Sequence, residues 1–83
     1  MHIDFNKIKE SIEPAMSDMD IEVTNIKFRT EGKYHFLTIE LDKLNGIDLD
    51  TIVDATNVIN PIIDKLDMID DTYILDVVSK ERG

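Results

Sequence analysis

Eighty-three residues suffice for one folded domain and are too few for two, because each half would bury too little surface to offset its chain entropy. Apolar residues form 42% of the chain, too many for a disordered polymer, and no run nears the roughly 20 that span a bilayer. Eighteen acidic residues against nine basic ones leave a net charge of −9, which repels phosphate backbones and favours cationic surfaces; the absence of cysteine excludes disulfides, thiolate metal sites and cysteine nucleophiles.

Phe5, Ile8, Ile12, Met16 and Met19 recur at three- and four-residue steps, which predicts a helix from about Asp4 to Ser17. Asp4 is its expected cap, and Pro14 removes a backbone donor and should kink or loosen its last turn. Met16 and Met19 read as core filler. From Ile21 to Thr30 the pattern alternates, with Ile26 and Phe28 on one side and Asn25, Lys27 and Arg29 on the other, which predicts a strand. Val23 has the opposite parity to Ile26, so the run is expected either to contain a bulge or to begin as a loop. Glu31 and Gly32 suit a reversal, after which His35, Leu37, Ile39 and Leu41 alternate with Phe36, Thr38, Glu40 and Asp42 as the second arm of a hairpin.

Asn45 and Gly46 have the chemistry of a turn needing positive φ, and Asp48 is placed to cap a second helix. Leu49, Ile52, Val53, Thr56, Ile59, Ile63 and Leu66 form its apolar stripe to about Asp67, with Pro61 expected to bend or weaken it near Asn57. Asp67 to Asp71 reads as a solvated acidic loop, and Tyr73, Leu75 and Val77 alternate with Ile74, Asp76 and Val78 as a third strand. The expected fold over residues 1–83 is a single α+β domain of order α-β-β-α-β, a two-layer sandwich with two helices on one face of a three-stranded antiparallel sheet. Its reverse face would display Phe36, Ile74 and Val78, an apolar patch open to a partner or a second copy unless the carboxy-terminal tail or the stems of Lys27 and Arg29 shield it.

No phosphate loop, nucleophile elbow or metal-binding helix is present. His2 and His35 lack partners at metal-ligand spacing, and Asp42 to Asp50 fails as a calcium loop because its glycine is fifth and Val53 stands where a bidentate glutamate belongs. Lys27, Arg29 and Lys33 make one small basic cluster, so direct nucleic-acid binding is disfavoured. The expectation is a protein with no catalytic residues, no cofactor and no metal.

Several strings carry a family likeness. Ile12-Glu13-Pro14, Ile26-Lys27-Phe28, Phe36-Leu37-Thr38-Ile39-Glu40-Leu41-Asp42-Lys43, Asn45-Gly46-Ile47-Asp48-Leu49-Asp50 and Tyr73-Ile74-Leu75-Asp76-Val77 together resemble the amino-terminal domain of the ribosome maturation factor RimP. The resemblance implies a non-enzymatic assembly factor that binds the immature small ribosomal subunit in the bacterial cytoplasm, partly through a basic ribosomal protein. It directs attention to Asn45, Gly46 and Ser79 at the element ends as partner-binding residues. After the third strand the family carries Ser-Ser-Pro-Gly and a second domain, whereas Val78-Ser79-Lys80-Glu81 stands here, so a strand prolonged to Ser79 is expected. The alternative is a self-associating module, dimeric through Phe36, Ile74 and Val78, with no ribosomal role.

Overall fold

A computed structural model describes residues 3–69 and 71–80. Asp4 accepts a hydrogen bond from the Lys7 amide at 3.1 Å and starts the first helix, α1, Phe5–Asp18, which presents Ile8, Ile12 and Met16 to the core. Pro14 lies inside it without ending it. Asp20, with φ of 60°, turns the chain into strand β1, Ile21–Glu31. β1 pairs antiparallel with β2, Tyr34–Lys43, through a two-residue loop in which Gly32 has φ of +59°. Glycine at the first loop position with positive φ matches the twist of a tight hairpin.

Of the bulge and the looped start, the bulge is present: the β1–β2 register steps between Val23 and Asn25, and the strand already begins at Ile21. The hydroxyl of the intervening Thr24 donates to the Glu40 carboxylate at 2.7 Å. This step puts Val23, Ile26 and Phe28 opposite Leu41, Ile39 and Leu37, so that both halves of β1 offer their apolar side chains to the same face.

Helix α2, Leu49–Leu66, begins at Asp48, whose carboxylate accepts the Thr51 amide at 2.8 Å, and ends at Asp67 in the left-handed region. Pro61 costs it a backbone donor, yet the helix runs unbroken through Asn57. Its buried side chains are Ala55, Ile59 and Ile63. The expected stripe is corrected at two positions: Leu49 is 76% exposed and Val53 50% exposed. At 100° per residue they lie at the flank of an arc centred on Ala55, Ile59 and Ile63, too far round to reach the core.

β3, Ile74–Ser79, joins the sheet beside β2 in the order β1-β2-β3 and reaches Ser79 as expected, but it runs parallel to β2. The fully antiparallel sheet is therefore corrected to a mixed one. The cause is the connection: α2 has 18 residues, about 27 Å at 1.5 Å per residue, and carries the chain back along most of β2 before β3 begins. Phe36 thus pairs with Ile74 and Leu41 with Ser79.

α1 packs on β1 and α2, and α2 packs on β3. Their buried residues join Ile21, Val23, Leu37, Ile39 and Leu41 in one core cluster, with Ile26, Phe28, Leu75 and Val77 partly buried against it. Among the described residues no helix is long and apolar enough to cross a membrane. Ile39, fully buried in the central strand, should lose about 2–5 kcal/mol of stability on Ile39→Ala, whereas Leu49→Ala should stay within about 0.5 kcal/mol of wild type; denaturant unfolding of both variants checks the corrected helix face.

Candidate functional site

Two of the expected partner-binding residues share one turn. The Gly46 amide donates to the Lys43 carbonyl at 2.9 Å, closing a four-residue reversal in which Asn45 has φ of 71°; Gly46 itself sits at 93°. Asparagine and glycine tolerate these left-handed conformations better than other residues, which is why this dipeptide can stand between β2 and α2. The turn borders an open depression of ≈ 300 Å³ lined by Lys43, Asn45, Gly46, Ile47, Asp48 and Thr51. Ser79 ends β3 opposite Leu41 on the neighbouring strand, so all three residues lie toward the same end of the sheet, and all three are exposed. Leu44, 83% exposed, and Leu49 flank the turn as bare apolar side chains.

The depression is not a ready anion site. Asp48 already occupies the amino end of α2, and hydrogen bonds from the Thr51 side chain and amide hold its carboxyl below the usual aspartate value.

On the other parity of the strands, Phe36 and Ile74 are direct cross-strand neighbours. Val78 stands apart from them, because Thr38 and its partner Asp76 occupy the intervening row. The Arg29 guanidinium lies 5.0 Å from the centre of the Phe36 ring, so one of the two expected cationic shields is in place. Phe36 and Val78 are half-buried and Ile74 is 46% exposed. The carboxy-terminal tail beyond Lys80, the other expected shield, lies outside the described residues, as does His2.

The RimP N-terminal domain profile matches residues 11–80, which takes in every strand, all of α2 and most of α1. This chain belongs to that family. It is therefore a domain of the ribosome-maturation-factor kind.

In this RimP amino-terminal domain several arrangements escaped the linear reading. The His35 ring stacks on Phe28 with centroids 5.7 Å apart, lies with Nδ1 2.9 Å from the Thr30 hydroxyl, and brings Nε2 to 3.4 Å from Asp71. Tyr73 donates its hydroxyl to Asp64 at 3.3 Å beside a cleft of ≈ 100 Å³ that Ile63, Asp67, Met68 and Ile69 complete. Burial, and then the neighbouring Asp64 charge, push the Tyr73 phenol above its ordinary value. Nothing in the spacing of residues 64 and 73 signalled this contact, since the intervening loop decides it. Of the acidic loop, Asp67 and Asp71 are exposed and Asp70 lies outside the described residues; among the described residues no group of three or more His, Asp or Glu side chains is set to hold a metal.

In a Tyr34→Phe background, where Tyr73 is the sole tyrosine, Asp64→Asn should lower the phenol midpoint without restoring it fully, because burial is the larger cause; phenolate absorbance against pH reads this. For Asp48 the folded carboxyl titrates below the ordinary aspartate value, so its stabilisation is present above that ordinary value and is lost as pH falls through the depressed folded one. Thermal melts should accordingly show wild type ahead of Asp48→Asn at neutral pH, with the gap narrowing in acid because the amide cap does not titrate.

Proposed function

We propose that this domain is a non-enzymatic assembly factor that binds the immature small ribosomal subunit in the cytoplasm through protein contacts, a basic ribosomal protein being the partner its charge fits. The observation that carries the reading is the family match across residues 11–80. The net charge of −9 supports a protein partner over direct contact with RNA, because an acidic surface repels phosphates and draws cationic polypeptide.

In this reading both helices cover the face carrying Leu37, Ile39 and Leu41, and the two ends and the reverse of the sheet remain for docking. Asn45, Gly46 and Ser79 are the contact residues at one end, with Leu44 and Leu49 adding apolar area beside them. The self-associating reading has less behind it. Its seam of Phe36, Ile74 and Val78 is interrupted by Asp76 and roofed at Phe36 by Arg29, which leaves little continuous apolar surface for a second copy.

Sedimentation of the purified domain with free small subunits at low ionic strength tests the reading. Co-migration that weakens as salt rises is expected, and Asn45→Gly, which keeps the turn conformation but deletes the side chain, should reduce it. Absence of co-migration at low salt would sink the assignment.

A further inference from the structure

β3 is an outer strand of the sheet, and the direction of its unpaired groups follows from one hydrogen bond. The Lys80 amide donates to the Leu41 carbonyl at 2.7 Å, in line with the parallel pairing of Leu41 and Ser79. Alternate residues of a strand aim their amide and carbonyl to opposite sides, so Ile74, Asp76 and Val78 face β2 while Leu75, Val77 and Ser79 face outward. Among the described residues these three outward amides and carbonyls make no backbone hydrogen bond. The opposite edge is guarded differently: β1 carries the bulge at Thr24, charged Lys27, Arg29 and Glu31, and the packing of α1. Bulges and charges of that kind discourage strand addition, and β3 has neither bulge nor proline and a single charged side chain, Asp76.

The surroundings of β3 select the kind of strand that would join it. The ≈ 100 Å³ cleft at its start is lined by apolar Ile63, Met68, Ile69 and Tyr73 and by two exposed acidic residues, Asp64 and Asp67. Asp71 and Asp76 continue the negative charge toward and along the strand, with Lys65 on α2 and Lys80 past the strand end as the nearby cations in sequence. A long side chain with an apolar stem and a cationic head matches this cleft, which is the shape of lysine or arginine. A second copy fits poorly, because two β3 edges meeting antiparallel would bring their Asp76 carboxylates together and set −9 against −9.

We propose that the outer edge of β3 accepts an extended, Lys- or Arg-bearing polypeptide segment as a fourth strand, with one of its cationic side chains seated in the Ile63–Tyr73 cleft against Asp64 and Asp67. This rests on the reading of the domain as a protein-binding assembly factor and specifies where and how the cationic partner docks. Strand addition supplies affinity through main-chain hydrogen bonds, and the cleft supplies the preference for a cation.

The test uses a short peptide of alternating lysine and valine, with a glutamate-valine peptide as control, followed by amide chemical shifts and hydrogen exchange. Binding of the lysine peptide should slow exchange at Leu75, Val77 and Ser79, and the glutamate peptide should not bind. Ser79→Pro removes one outward donor while leaving the bonds to β2, and should weaken the lysine peptide about threefold to tenfold. Asp64→Asn with Asp67→Asn should weaken it too. Exchange protection in the wild-type chain decides the matter even if a variant folds poorly. Protection confined to the Phe36 face, equal binding of both peptides, or protection at the β3 edge arising from dimer formation in sedimentation would each overturn the proposal. Co-migration with small subunits that is indifferent to Asp64→Asn with Asp67→Asn and uncompeted by the peptide would remove the edge proposal and leave the broader reading standing; peptide binding without co-migration would do the reverse.

Discussion

Leu37, Ile39 and Leu41 on the central strand are closed to water, and each remaining element is placed by its need to cover them. Full burial of such side chains contributes about 1.5–3 kcal/mol apiece, so this row outweighs any polar contact in the molecule. It also sets register. A one-residue slip of β2 would turn Phe36, Thr38 and Glu40 inward and bring a carboxylate into the core. The bulge at Thr24 belongs to the same constraint, since without it Val23 and Ile26 would lie on opposite faces and only one of them would reach the row.

Polar chemistry is arranged around that apolar row. Asp4 and Asp48 close the amino ends of the helices, Asp67 ends α2 in a left-handed conformation, and Asn45 with Gly46 reverses the chain between β2 and α2. Among the described residues no buried position is polar or charged. Much of the acidic excess consequently sits in caps, loops and outward helix positions, where it shapes the field seen by a partner without a large desolvation cost.

Membership of the RimP amino-terminal family gives these surfaces a context. The mixed sheet has two unlike edges and a reverse face on which Arg29 partly roofs Phe36. The turn end carries exposed Leu44 and Leu49, and β3 begins beside a cleft whose lining includes Asp64 and Asp67.

Local periodicity determined a good deal. The order α-β-β-α-β, both helix caps, the hairpin, the bulge, the Asn45-Gly46 turn and the extension of β3 to Ser79 were legible because each depends on residues within a few positions of one another. Tertiary structure alone decided the direction of β3, because that depends on how far α2 carries the chain back along β2. It also decided which flank of α2 is buried, leaving Leu49 and Val53 outside, since two adjoining arcs of an amphipathic helix look alike until a sheet is laid against one. The pairings of His35 with Asp71 and of Tyr73 with Asp64 join different elements or loops, and a linear pattern holds no record of the distances across that space.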